Sequence, residues 1–152
     1  MKVLLQRVSR AAVRVEGKTV GSIGTGLVAL VGIERGDTAA DADYLANKTA
    51  ELRIFPDEEG RMNRSAEEIR GGVLVVSQFT LASSTRRGRR PSFDAAAPPE
   101  MAELLCRRFQ DRLASRGLEV AAGVFRALME VELVNDGPVT ILLDPPPEKA
   151  RA

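Results

Sequence analysis

The chain has 152 residues, 44% hydrophobic and 28% charged, with a formal net charge of +1, a balance typical of one globular domain with a real core and unlike a bulk polycation. It holds a single cysteine, Cys106, and no histidine. An internal disulfide framework, Ser-His-Asp and Cys-His catalysis, and every histidine-based metal site are thereby excluded.

The opening MKVLLQRV is interrupted by Gln6 and Arg7 too early for a signal peptide. No apolar run approaches the ~18 residues that cross a bilayer, so a cytoplasmic protein is expected. Lys2–Val8 and Ala12–Val15 are rich in β-formers, and Glu16-Gly17-Lys18 turns the chain into Thr19–Ile23. Residues 27–33, LVALVGI, form a continuous apolar run of strand length, the pattern of a strand buried on both faces. Asp37 can cap a helix over 38–52, with Ala42, Leu45, Ala46, Thr49 and Leu52 along one face.

Residues 53–63, RIFPDEEGRMN, read as a strand and a turn, and residues 72–81, GVLVVSQFTL, repeat the buried-strand pattern before turning polar. Pro98 and Pro99 start a second helix that Gly117 ends, with Met101, Leu104, Leu105, Phe109 and Leu113 expected to face the core. Three strands close the chain: Glu119–Val124, Leu128–Val134 and Val139–Leu143. The last two flank Asn135-Asp136-Gly137-Pro138, a hairpin-like signal with a surplus proline. About eight strands and two helices, with hairpins at both ends, describe an α/β or α+β chain of mixed, mainly antiparallel sheets with two main helices. Residues 1–144 are expected to form a single domain, and residues 145–152 a disordered proline-rich tail.

Two stretches could carry chemistry. Ser77, Gln78, Phe79 and Thr80 lie where a buried strand ends, and offer hydroxyls, an amide and backbone N–H groups that can hold an anionic oxygen. The plainer reading of these residues alone is that the hydroxyls simply terminate the strand, and a Ser or Thr nucleophile has no histidine base. Arg86, Arg87, Arg89 and Arg90 stand together with no acid among them; they suit phosphate contacts or, more plainly, a solvated loop. Aromatic residues at 4% are too few for a stacking platform for single-stranded RNA. Cys106 reads as a packed thiol. Asp57, Glu58 and Glu59, in a turn beside Gly60, read as solvated carboxylates with little to support a metal site.

Val75-Val76-Ser77-Gln78-Phe79-Thr80-Leu81, Arg90-Pro91-Ser92-Phe93 and Val134-Asn135-Asp136-Gly137-Pro138-Val139-Thr140 together resemble the D-aminoacyl-tRNA deacylases, formerly called D-tyrosyl-tRNA deacylases. Gln6-Arg7-Val8, Arg53-Ile54-Phe55 and Gly60-Arg61-Met62-Asn63 extend the resemblance, which runs in order from Met1 to about Asp144. It implies that family's fold and a homodimeric hydrolase that frees tRNA from esterified D-amino acids. It also implies a site at the subunit interface, where Ser77–Thr80 of one copy meets Gly137 and Pro138 of the other. In the family that bond is cis, whereas backbone preference alone favours trans. Arg7, Met129 and Asn135 are implied supporting residues. No cofactor or metal is implied. Between Phe125 and Met129 the family usually has a small residue, alanine and aspartate; here stand Arg126, Ala127 and Leu128, which alters pocket polarity.

The same resemblance makes sense of a chain without histidine. An aminoacyl ester is already activated, so backbone N–H groups at Phe79 and Thr80 and the substrate's own 2′-hydroxyl can suffice. Thr80 as covalent nucleophile is the rival mechanism. A rigid Gly-Pro backbone would exclude L-residues by collision but could not reject glycine. A small RNA-binding module using Arg86–Arg90 without catalysis, and a small-molecule-binding dimer, are the competing readings.

Overall fold

The structure, a computed structural model, describes residues 1–147. The last part of the expected tail, 148–152, lies outside the described residues, and Pro145–Pro147 belong to neither helix nor strand. Among the described residues there are eight strands and two α-helices, in a mixed architecture whose main sheet is mostly antiparallel.

The two expected opening strands are one, β1 (Lys2–Val15). Ser9 and Arg10, which interrupt its apolar alternation, are exposed and pass through a bulge rather than ending the strand. Strands β2 (Lys18–Ile23) and β3 (Gly26–Gly32) follow end to end along one edge of β1, pairing antiparallel with its second and first halves respectively. A small ribbon, β4 (Phe55–Pro56) and β5 (Met62–Arg64), forms from the stretch expected as a strand and turn. Strand β6 (Gly72–Ser77) joins β3 in parallel, and β7 (Glu119–Ala122) joins β6 in parallel.

Strand periodicity then divides the core. Leu27, Ala29 and Val31 of β3 and Val73 and Val75 of β6 face the helices, while Val28, Leu74 and Val76 pack on the opposite side with Val8, Val13 and Ile23. That two-sided burial explains the uninterrupted apolar runs of both strands. Helix α1 (Ala39–Glu51) begins with a capping box of Thr38 and Asp41. Asp37, the expected cap, instead accepts from the Met1 α-ammonium and the Glu34 amide. Helix α2 (Pro99–Ser115) lies against α1 and buries Ala102, Leu105, Cys106, Phe109 and Leu113. Met101 and Leu104, expected in the core, are 42% and 68% exposed. Ala102 and Cys106 share the buried face with Leu105, Phe109 and Leu113, so that face is turned away from Met101 and Leu104.

A further correction concerns the end of the chain. Residues 130–143 form one strand, β8 (Glu130–Leu143), paired antiparallel along the free edge of β1. Asn135-Asp136-Gly137-Pro138 is therefore no hairpin. Val8 pairs with Asn135 and Gln6 with Thr140, so Asp136 to Val139 stand opposite Arg7 alone; Asp136, Gly137 and Pro138 are exposed, while Val139 returns to the core. The two halves of β8 continue in the same direction on either side of this excursion.

The revised inner face of α2 can be measured. Phe109→Ala, at a fully buried ring, is expected to cost about 3–5 kcal/mol in denaturant unfolding. Leu104→Ala is expected to stay within ~0.5 kcal/mol of the parent, and a loss comparable to that of Phe109 would restore Leu104 to the core.

Candidate active site

Strands β3, β6 and β7 run parallel, and a cleft of about 460 Å³ opens at their carboxyl ends, a position that suits ligands in parallel sheets. Its walls are Ser77, Gln78 and Phe79 at the end of β6, Ala96, Ala97 and Ala102 around the start of α2, and Phe125 to Ala127 with Met129 from the turn between β7 and β8. The Gln78 amide donates to the Val31 carbonyl at 2.7 Å, which fixes the exit of the strand. The chain then coils into a short 3₁₀ turn, Phe79–Ala82.

That turn leaves the backbone N–H groups of Phe79 and Thr80 with no acceptor among the described residues. Phe79 lines the cleft and Thr80 follows it just outside the lining; two free donors side by side in such a turn can hold a developing oxyanion. Ser77 and Gln78 are half-buried, while Phe79 is 56% exposed and packs edge-on against Phe93, ring centroids 5.0 Å apart. Gln78 Nε2 donates to Thr80 Oγ1 at 2.5 Å. A carboxamide is not a base in either orientation, so nothing bonded to Thr80 activates it as a nucleophile.

Met129 lines the cleft and packs on the second core cluster. Arg126 was met in the sequence only as a departure, yet it too lines the cleft. Ala127 N–H donates to the Val124 carbonyl at 3.2 Å, closing a four-residue turn in which Arg126 takes φ +67°. This is the glycine position of a type II turn, and a side chain there costs about 1–2 kcal/mol.

Gly137 and Pro138 are not among the residues lining the cleft of their own chain. They sit on β8, with β1 and β3 between them and β6. Their loop is closely held. The Val139 amide donates to Asn135 Oδ1 at 2.8 Å, and Asn135 Nδ2 donates to Thr140 Oγ1 at 3.0 Å. Arg7 reaches from β1 beneath the loop, donating through Nε to the Asp136 carbonyl at 2.8 Å and through Nη1 to the Ile54 carbonyl at 2.6 Å. The Gly137–Pro138 bond is cis and Gly137 has φ +144°. A Cβ on Gly137 would stand 2.7 Å from Val139 Cγ2 and 3.2 Å from Arg7 Nη2, so bracing and conformation alike require glycine.

Arg86, Arg87, Arg89 and Arg90 are exposed on a loop pinched by two hydrogen bonds between Ser84 and Ser92, of 2.8 and 2.9 Å, and none forms an ion pair among the described residues. The Asp57 carboxylate accepts from the amides of Arg61 and Glu59 and from Asn63 Nδ2. The Arg61 amide above all holds it below the usual carboxylate range, and it serves the turn. Burial pushes the Cys106 thiol up, which keeps it protonated and packed.

The family model for D-Tyr-tRNA(Tyr) deacylase matches residues 4–144. The chain belongs to this family. A relative from Symbiobacterium thermophilum named D-aminoacyl-tRNA deacylase is 61% identical over 144 residues, covering 95% of each chain. One of the same name from Azoarcus sp. is 58% identical over 150 residues, covering 99% of each. A solved structure named c-Myc DNA Unwinding Element Binding Protein has a TM-score of 0.90 and 38% identity, covering 97% of this chain and 100% of that one. A probable eukaryotic D-amino acid tRNA deacylase shares the fold, with a TM-score of 0.78 at 19% identity over 93% of this chain and 97% of that one. Membership makes the protein an ester hydrolase, since a deacylase cleaves an acyl ester. No helix among the described residues is long and apolar enough to cross a membrane.

Because Arg7 joins two carbonyls from separate parts of the chain, Arg7→Ala is expected to destabilise the fold by about 2 kcal/mol. Hydrogen exchange should accelerate at residues 136–140 more than in β3 or β6. Uniform acceleration would mean that Arg7 does not brace the loop.

Proposed function

We propose that this protein hydrolyses the ester between a D-amino acid and the 3′ end of tRNA, releasing free tRNA and the D-amino acid, as a chiral proofreading step of translation in the cytoplasm. The observation that carries this reading is the pair of free N–H groups on Phe79, which lines the cleft, and on Thr80, the next residue of the same turn, in a chain of a deacylase family.

The ester carbonyl oxygen sits on these two donors. Water adds to the carbonyl carbon, and the substrate's 2′-hydroxyl helps to take the water's proton. The tetrahedral oxyanion is held by backbone dipoles that need no reorganisation. Collapse breaks the bond to the ribose oxygen, which leaves with a proton. Ser77 and Gln78 hold the strand end in place. No cofactor is required, because the acyl bond is already activated and the donors are supplied by backbone.

Selectivity comes from a second copy of the chain. Its Gly137–Pro138 loop enters the cleft and presents carbonyl oxygens to the α-ammonium of the substrate, so that an L side chain collides with backbone that cannot retreat. Three features support a homodimer with this shared site. Asp136, Gly137 and Pro138 are exposed and unpaired with β1, the loop is braced by Arg7 and Asn135, and β8 is an edge strand with Val131, Val134 and Leu142 exposed. The exposed arginines Arg86, Arg87, Arg89 and Arg90 are available to tRNA phosphates.

The protein is expected to cleave D-tyrosyl-tRNA faster than L-tyrosyl-tRNA by about 100-fold or more, and to cleave glycyl-tRNA measurably, because glycine has no side chain to exclude. Ester loss from the three substrates decides it. Inertness towards glycyl-tRNA at high enzyme concentration would count against backbone exclusion, and tRNA binding without any hydrolysis would favour an RNA-binding module. Thr80→Ala is expected to lower kcat by no more than about tenfold, the size of one side-chain hydrogen bond. A loss of ~10⁴ or more with normal binding would make Thr80 the nucleophile.

A further inference from the structure

We propose that Arg126 is a substrate-binding residue that holds the phosphate on the 5′ side of the tRNA's terminal nucleotide; this rests on the deacylase reading of the cleft. Arg126 is the one charged side chain among the described residues that line the cleft. It is exposed and forms no ion pair among those residues. Its backbone occupies the glycine position of a closed turn, at φ +67°. Folding alone gains nothing from arginine there. The side chain is held at a backbone cost in a cleft otherwise walled by apolar and neutral polar groups, which is the pattern of a residue kept for a ligand.

The ligand chemistry follows from the guanidinium and from what the cleft must hold. A planar, permanently charged fork pairs with phosphate or carboxylate oxygens. With the ester on Phe79 and Thr80, the terminal ribose comes next along the substrate and its 5′ phosphate is the first anion met. Every aminoacyl-tRNA carries that phosphate, whereas a carboxylate is present only on acidic amino acids. A single fixed cation therefore suits the shared group.

The test uses the full-length protein with Arg126→Ala, Arg126→Gly and Arg126→Lys. Three substrates are compared: D-tyrosyl-tRNA, D-aspartyl-tRNA and the D-tyrosyl ester of adenosine, which lacks the phosphate. For tRNA, Ala and Gly variants are expected to raise KM about tenfold, the size of a charge-assisted hydrogen bond to an exposed anion, with kcat within about twofold, and Lys to recover part of the loss. The loss on the adenosine ester should be at least about fivefold smaller. The salt dependence of log kcat/KM should flatten by about 0.7, one phosphate contact on a single strand. Arg126→Gly should keep or raise Tm, since glycine suits the turn, so its kinetic loss cannot come from unfolding. Equal losses on D-tyrosyl-tRNA and on the adenosine ester, or none on tRNA, overturn the proposal. A loss confined to D-aspartyl-tRNA also overturns it, in favour of a side-chain carboxylate. Binding of the trinucleotide CCA, followed by NMR titration, needs no hydrolysis. Arg126→Ala should weaken it about tenfold, and unchanged binding overturns the proposal even if the wild-type protein cleaves neither ester, a result that would separately sink the deacylase reading.

Discussion

The pairing of β8 with β1 governs both halves of the molecule. On one edge β1 holds β3, and through it β6 and the cleft; on the other it holds β8 and the Gly-Pro loop. Between Gln6 and Val8 the register must absorb four residues, Asp136 to Val139, opposite Arg7. A shorter excursion would become a simple bulge, with no backbone projecting from the sheet. The length chosen here leaves carbonyls and amides that the ladder cannot satisfy. Arg7 and Asn135 take up several of them. The same strand that builds the core thus fixes the pose of an exposed loop, and a loop fixed in this way can discriminate by shape.

Much of the framework was legible in the residues. The apolar runs in 27–33 and in the first part of 72–81 read as strands buried on both faces because a core cluster covers each face of the sheet there. Helix α1 was legible from its periodic face. The inner face of α2 was not, because Met101 and Leu104 satisfy helical spacing as well as Leu105 and Phe109 do, and burial is decided by how the helix packs on α1 and the sheet. The end of the chain was misread for a related reason. Asn-Asp-Gly-Pro between two β-rich runs carries the same local signal whether the runs pair with each other or both pair with a third strand. That third strand, β1, lies more than a hundred residues earlier, beyond any local rule.

The candidate site divides in the same manner. Ser77 to Thr80 could be picked out because a buried strand turned polar. What gives the stretch chemical meaning, the two free N–H groups, depends on a 3₁₀ turn that no side chain announces. The bracing of the loop by the Ile54 carbonyl and the contact of Phe93 with Phe79 are likewise products of tertiary position. Arg126 was visible only as an oddity against the family pattern. Its position in the cleft, at a glycine-like backbone angle, turned the oddity into chemistry.

On the proposed reading, the site must accept D-residues of many shapes while rejecting L-residues of the same shapes. Side-chain recognition cannot do this, since any pocket tuned to one residue would penalise the others. The solution is to bind only what all substrates share. Backbone donors meet the ester oxygen, backbone acceptors meet the α-ammonium, and rigid backbone occupies the space of the wrong enantiomer. The apolar walls of the cleft are indifferent to the rest. A charged side chain in such a cleft must also address a common feature, or it would reintroduce selectivity among amino acids. The terminal phosphate is the one common anion within reach of the ester, which is why Arg126 belongs with the recognition of the tRNA and not of its cargo.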